Sequence, residues 1–233
     1  MEALSGIGSV RGKVMVDVGC GTGDLVRELT LEGAEVVGID SPDMIRKARQ
    51  QEKAGNETYL SGKAENLPLR DGYADIITFF ASLHHVPEAL MEQALREACR
   101  VLGNGGQVVC LEPVGEAGSY FELIRLVEDE REIQAAAFRA IKNAGSSHLK
   151  SQKEYRVYFE RSYKDFIKLN EIFIDDAGRR NRLADRAREI TSVMSRKAGR
   201  DFDDFRFKSI CRVNILTRGC LPPSHFPVIG PVQ

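Results

Sequence analysis

Two groups of residues in this chain have the types and spacing to do chemistry. The first is Asp17-Val-Gly-Cys-Gly-Thr-Gly23, which closes the apolar run Val14-Met-Val and leads into a helical pattern from Asp24. Glycines at 19, 21 and 23 remove each Cβ where a ligand would approach the backbone, and the helix start behind them supplies oriented N–H groups, a combination suited to a nucleotide-like ligand. Alone, the spacing is also that of nicotinamide-binding loops and of ordinary tight turns. Asp40 ends a second apolar run seventeen positions after Gly23. A carboxylate there can accept from both hydroxyls of a ribose, or it can cap the helix that Pro42 begins. The second group is His84, His85 and Glu112. Histidine titrates nearest neutral pH, so His84 and His85 are candidate general bases, with positioning of their loop as the structural alternative. Glu112 is a candidate acid/base or amine anchor, or else a helix-capping or surface carboxylate.

The elements that must hold these residues follow from the pattern of apolar runs. Short strands are expected at 13–18, 35–40, 57–60, 74–80 and 107–112, separated by helical stretches and by turn residues such as Asp71-Gly72 and Gly103-Asn104-Gly105-Gly106. That alternation is the signature of a mostly parallel sheet covered by helices, an α/β fold. Asp24 is placed to cap the first helix; Ser41 with Pro42 opens the second, and Pro87 opens a third running to about Leu102. Beyond Pro113 the pattern changes. Residues 119–143 read as one long helix whose apolar stripe is interrupted by Glu128-Asp129-Glu130-Arg131-Glu132, a run facing water or a cavity. Glu128, Asp129 and Glu130 could bind a substrate amine, although a solvated helix face is the plainer reading. Tyr155, Val157 and Phe159 alternate as a short strand; helical spacing recurs over Tyr163–Ile174 and over Leu183–Met194; Phe205–Ile215 alternates cleanly with period two. The tail from Leu221, with four prolines, reads as irregular.

The first half resembles the class I S-adenosylmethionine (SAM)-dependent methyltransferases, particularly the ubiquinone/menaquinone-biosynthesis subgroup. Beside Asp17-x-Gly-x-Gly-x-Gly23 and the acidic end of the second strand, the resemblance rests on Gly62-Lys-Ala-Glu-Asn-Leu-Pro68, Asp75-Ile-Ile-Thr-Phe-Phe-Ala-Ser-Leu-His-His-Val86 and Arg100-Val-Leu-Gly-Asn-Gly-Gly106, in the family's order over roughly residues 13–113. It implies a Rossmann-like fold with SAM as cofactor. Asp17 and Gly19 would lie by its methionine part, Asp40 by the ribose, Met44, Ala64 and Glu65 by the adenine, and Ala81 or Ser82 by the sulfonium, with Cys20, Gly21, Gly23 and Ser41 also among its binding residues. Two positions depart from the family pattern. Lys63 stands where many relatives carry an aspartate that receives the adenine amino group; lysine cannot accept that bond, so Glu65 or a carbonyl must. Asn104 replaces a turn proline.

The resulting division is a SAM-binding core over 1–113, a helical cover with substrate recognition over 114–204, a strand rejoining the sheet over 205–220 and an irregular tail over 221–233. In the cover, Tyr155, Tyr158, Phe159 and Tyr163 could present aromatic faces to a sulfonium or belong to the core. With only about a dozen residues before the first strand, little or no N-terminal lid is expected. Composition narrows the rest. Thirty-three Lys and Arg against 34 Asp and Glu give a net charge of −1, which offers nucleic acid or an anionic membrane no global attraction. Neither a signal peptide nor a spanning segment is evident, so a cytoplasmic location is expected. Five cysteines without C-x-x-C suggest no disulfide framework or zinc site, and no H-x-x-x-H or carboxylate cluster suggests another metal.

The function expected is methyl transfer from SAM to a small-molecule acceptor. Two alternatives keep the same site: cyclisation or aminocarboxypropyl transfer releasing methylthioadenosine, and a SAM-binding regulatory protein without turnover. The sequence leaves the acceptor and the oligomeric state open.

Overall fold

In a computed structural model of the chain, the structure describes residues 2–115, 118–163, 177–197, 199–201 and 204–218. Five parallel strands form the first part of one sheet: β1 (Val14–Val18), β2 (Glu35–Asp40), β3 (Thr58–Ser61), β4 (Ala74–Phe80) and β5 (Leu102–Pro113). They alternate with α1 (Asp24–Leu31), α2 (Pro42–Arg49) and α3 (Glu88–Val101). The strand order runs β3-β2-β1-β4-β5 and continues through two antiparallel strands, β8 (Asp204–Arg218) and then β6 (Leu149–Tyr163); β7 (Gly199–Asp201) pairs with β8. This is the expected Rossmann-like α/β arrangement. Because the order reverses about β1, the ends of β1 and β4 splay apart, and a crevice opens where they leave the sheet.

Both faces of the sheet are covered. On one, Val16, Ile77, Phe79 and Val108 pack with Leu95, Ala98 and Val101 of α3; on the other, Met15, Val36, Ile76 and Val109 pack with Val26, Leu29 and Ile45 of α1 and α2. Burial on both sides explains why β1, β2 and β4 read as continuous apolar runs rather than alternating ones. A third cluster joins Leu123 and Val127 to Leu183, Ile190, Met194 and Phe207. It seats α4 (Ser119–Ile124), α6 (Ala177–Asp185) and α7 (Ala187–Lys197) against β8, above the carboxyl ends of the parallel strands.

Several local expectations are corrected. The long helix over 119–143 is two helices, α4 and α5 (Arg131–Ser146), separated at Glu128-Asp129-Glu130. The Asp129 carboxylate accepts from the Arg131 backbone N–H at 3.3 Å and from its guanidinium, a local alternative to helix hydrogen bonding that turns the chain. The short strand about Tyr155 is fifteen residues long. Its first half is charged and lacks strand character of its own, but β8 pairs with it from Leu149↔Arg218 to Tyr163↔Phe205, and as the sheet edge it tolerates charge. Gly23, at φ 81°, caps α1, and the Asp24 carboxylate instead accepts from the Thr22 hydroxyl at 2.9 Å. Pro87 caps α3, which begins at Glu88. Gly103–Gly106, expected as a turn, falls within β5 as an irregularity between the Ala74 and Ile76 partners. Ser41 and Pro42 open α2 as expected, with the Met44 N–H donating to the Ser41 hydroxyl at 3.5 Å. The helical pattern about Phe166–Ile174 and the tail from Leu221 lie outside the described residues. Among the described residues, no helix is long and apolar enough to cross a membrane.

Candidate active site

Backbone hydrogen bonds tie the crevice together. Leaving β1, the N–H groups of Gly19 and Cys20 both donate to the Ile39 carbonyl, at 2.7 and 3.1 Å, which ties the glycine loop to the end of β2. Gly19 adopts φ +77°, and a Cβ on it would fall 2.4 Å from that of Ser82. Ser82 is itself held by its hydroxyl donating to the Val18 carbonyl at 2.6 Å. No other residue type lets the loops after β1 and β4 meet here. The Asp40 carboxylate accepts from the Gly21 N–H at 2.8 Å and from the Ser41 N–H at 2.6 Å. Each oxygen keeps acceptor capacity for a further donor. The helix-cap alternative for Asp40 does not describe this geometry, because the Ser41 side chain provides that cap.

The cleft so formed has a volume of about 650 Å³. Of the expected cofactor residues, Gly19, Gly21, Asp40, Ser41, Met44, Ala64, Glu65, Ala81 and Ser82 line it, and so do Lys63 and His85. Asp17, Cys20 and Gly23 lie behind the lining, with Gly23 packed on the Tyr59 ring. Asp17 is 2 % exposed, and the Thr78 hydroxyl donates to it at 2.6 Å. Burial raises its pKa to about 7, against the pull of Thr78 and with a push from the Asp40 charge. A carboxyl held in that condition is ready to ionise towards a cation. The Cys20 thiol is pushed up by burial and by Asp17 and Asp40, and Cys110 likewise by burial, so neither is a nucleophile at neutral pH. Cys99 and Cys211 are also buried and in no disulfide, while Cys220 lies outside the described residues.

The second group of candidates divides. Glu112 is 4 % exposed at the end of β5, which removes the surface-carboxylate alternative. One oxygen accepts from the Leu83 N–H at 2.9 Å, and the other meets Nδ1 of the buried His84. A carboxylate on Nδ1 fixes that nitrogen as the protonated one and turns Nε2 towards Glu130, whose Oε2 is 3.9 Å away. His85 also lines the cleft, with its ring centroid 4.1 Å from that of His84. In the sequence Glu130 stood out as one of three acidic residues that interrupt an apolar stripe and could bind an amine, with a solvated helix face as the plainer reading; the turn between α4 and α5 carries it to the site. Donor atoms of His84, His85 and Glu130 lie within 4.8 Å of one another, so folding assembles a set able to hold a cation that no sequence spacing displays.

A smaller cavity of about 130 Å³ lies on the other side of Ala81, which lines both spaces. Its walls include Phe80, Tyr120, Phe121 and Phe159, with Glu130 among them. Ala81 takes φ 52°, the one positive φ outside glycine among the described residues, a conformation costing about 1–3 kcal/mol. Of the aromatics proposed for the cover, Phe159 lines this cavity against Phe80 at 6.4 Å, Tyr155 packs towards Gly6, and Tyr158 is 63 % exposed. The Tyr163 side chain lies outside the described residues.

Comparison with known proteins gives this geometry its setting. Residues 16–110 match a family described as "Methyltransferase domain". The demethylmenaquinone methyltransferase of Bacillus licheniformis is 32% identical over 183 residues, covering 73% of this chain and 72% of that protein. The chain belongs to the family of class I SAM-dependent methyltransferases. Within that family it is related to the demethylmenaquinone and UbiE-type enzymes. The demethylmenaquinone methyltransferase of Shouchella clausii is 38% identical over 108 residues, 43% of this chain and 45% of the relative, so the chain spans about half the length of several curated relatives it matches. Among solved structures, the YcgJ protein of Bacillus subtilis superposes with a TM-score of 0.59 at 19% identity, covering 93% of this chain and 98% of that one. A SAM-dependent methyltransferase from Aquifex aeolicus does so at 0.57 and 15%, covering 92% and 87%. These last two likenesses are of fold alone.

The residues of the cleft fit the family's cofactor. Around Gly21 no atom lies within 4 Å of where a Cβ would stand, leaving its backbone open to an approaching group. Asp40 offers acceptors for a diol, and Met44 and Ala64 offer apolar surface for a purine. Lys63, exposed at the cleft rim, offers donors only, which leaves Glu65 and backbone carbonyls as acceptors for an amino group.

Proposed function

We propose that this methyltransferase moves the methyl group of SAM to a small-molecule acceptor seated in the 130 Å³ cavity, through the opening at Ala81. The observation that carries the reading is the meeting of the two cavities at one strained residue, since a methyl group can pass between two molecules only where their pockets share a wall. Bound SAM supplies an electrophilic methyl on a sulfonium. The rest is the work of the chain: to hold a nucleophile in line with that carbon, to exclude water and to take up any proton released.

Asp40 would hold the ribose hydroxyls, with Ser41 beside it. Met44, Ala64 and Glu65 would flank the adenine, and Gly19, Gly21 and Ser82 would border the methionine part. Behind them, Cys20 and Gly23 shape the loop, and Asp17 answers the amino-acid charge. On the acceptor side, Nε2 of His84 is the proton acceptor: Glu112 holds the imidazole in the tautomer that leaves Nε2 basic and stabilises the imidazolium once formed. His85, which lines the cleft and not the acceptor cavity, positions the loop after β4.

The test is product analysis. Purified protein is incubated with SAM alone, with a quinone-precursor extract and with a polar metabolite pool, and S-adenosylhomocysteine is read against methylthioadenosine by mass spectrometry. Acceptor-dependent S-adenosylhomocysteine is the expected result. Methylthioadenosine formed without an acceptor would replace methyl transfer with attack on another carbon of the sulfonium, and SAM binding with no product at all would leave a regulatory protein.

A further inference from the structure

We infer that His84, His85 and Glu130 form a binding site for a divalent first-row transition-metal ion of the zinc class. One donor atom from each lies within 4.8 Å of the others, and among the described residues no other trio of histidine, cysteine and carboxylate side chains meets that condition. Two imidazoles and one carboxylate suit Zn²⁺ and its neighbours, whereas Mg²⁺ and Ca²⁺ take oxygen ligands. In a four-coordinate zinc site the donor atoms stand ~3.3 Å apart. Nε2 of His84 is already 3.9 Å from Oε2 of Glu130, so a small side-chain movement closes that pair on an ion.

The surroundings are those of a metal ligand. A histidine that holds a metal through one ring nitrogen as a rule gives its other N–H to a carboxylate or carbonyl, which fixes the ring and raises its basicity. His84 has that arrangement: Nδ1 meets the buried Glu112 carboxylate, and Glu112 in turn accepts from the Leu83 N–H at 2.9 Å. The short turn Leu83–His85 carries both imidazoles, and the His85 N–H donates to the Ser82 carbonyl at 3.1 Å, so their backbone is fixed. Glu130 is braced as well, since Nε2 of Gln134 donates to its Oε2 at 3.1 Å. A carboxylate has about four lone-pair sites, enough for that amide and an ion together. None of the three ligands need be without a partner, because an ion of this class displaces protons and hydrogen bonds from the atoms it binds.

His85 lines the cofactor cleft and Glu130 the acceptor cavity, so the site joins the linings of both. An ion on Nε2 of His84 takes the lone pair assigned above to the acceptor's proton. Metal and proton therefore compete for one nitrogen, and the metal-loaded protein is held inactive. That consequence rests on the methyl-transfer reading; the site itself does not.

The experiment is a titration of the full chain, stripped with a chelator, with Zn²⁺ alone, followed by calorimetry and by the imidazole NMR signals of its four histidines. Binding of one ion is expected, with shifts in the two histidine signals that are absent from H84A and H85A, and an excess of Mg²⁺ should not displace it. Glu130→Gln and His85→Ala are each expected to weaken Zn²⁺ binding at least about tenfold, and Glu112→Gln, which touches no ion, about tenfold by loosening the His84 ring. Circular dichroism reports that each variant is folded, and the wild-type NMR shifts decide the matter where one is not. No Zn²⁺ binding, shifts confined to other histidines, or binding as tight in E130Q and H85A as in the wild type overturns the site. With an acceptor from the product analysis, one equivalent of Zn²⁺ should suppress S-adenosylhomocysteine formation and a chelator restore it. Undiminished turnover of the zinc-loaded protein overturns His84 as the proton acceptor and leaves the metal site standing.

Discussion

Backbone N–H and C=O groups tie together the cleft at the ends of β1, β2 and β4, whereas side chains drawn from α4, α5, β6 and β8 line the cavity across Ala81. In the cleft, the decisive contacts are N–H groups on the Ile39 carbonyl and the Asp40 carboxylate, and a glycine where any Cβ would strike Ser82. In the cavity they are four aromatic rings and one carboxylate, held by the turn between α4 and α5. A backbone framework is the same for any sequence that keeps the glycines and the strand ends, so it suits a ligand shared by a whole family. Side-chain walls change with each substitution and suit the partner that differs between members.

The comparison can be broken at the pair that joins the two regions. Glu112→Ala leaves the Leu83 N–H and the His84 imidazole without their buried acceptor, and a loss of about 3–5 kcal/mol in unfolding free energy is expected from urea titration. Glu112→Gln, which still accepts from Leu83, should lose much less. Equal small losses in both would mean that Glu112 is not the brace between β5 and the histidine loop.

Asp17 sharpens the cleft side. Its pKa is raised in the folded state, so its contribution to stability is fully present below the unfolded value of 3.8 and is lost as pH climbs to about 7. Above that, the ionised carboxylate costs the fold on the order of 4 kcal/mol. Asp17→Asn, keeping an acceptor for Thr78, should therefore raise the melting temperature at pH 8, flatten its decline between pH 4 and 7 and weaken SAM binding. A variant no more stable at pH 8 than the wild type would show that the burial carries no such cost. Asp40→Ala is expected to weaken SAM binding by about 1–3 kcal/mol, measured by calorimetry, because it removes the acceptor proposed for the ribose and the acceptor of the Gly21 N–H. Unchanged affinity would remove Asp40 from the ribose. The smallest effect belongs outside both regions: Tyr158→Ser, at an exposed edge-strand position, should change stability by less than about 0.5 kcal/mol and SAM affinity not at all.

The two regions also differ in how far they were legible. Gly19, Gly21 and Asp40 could be read because their roles depend on residue type at a strand end, and strand ends follow from local apolar runs. Ser41 and Pro42 mark their helix for the same reason. The single long helix over 119–143 was misread because its apolar spacing persists through Arg125–Val127; what turns the chain is the Asp129 carboxylate competing for the Arg131 N–H. The full length of β6 was hidden too, since Lys150, Lys153 and Glu154 join a strand only when β8 offers them a ladder.

By itself the sequence determined the order of strands and helices through β5, the glycine loop and the carboxylate at the end of β2, because each is set by contacts within a few residues or by a backbone that only glycine permits. Only the tertiary structure decided that Glu112 is buried against His84, that His85 lines the cleft beside it and that Glu130 comes within reach of both histidines. Those three facts depend on where β5, the loop after β4 and the turn before α5 meet in space, and no periodicity along the chain records a meeting between elements so far apart in it.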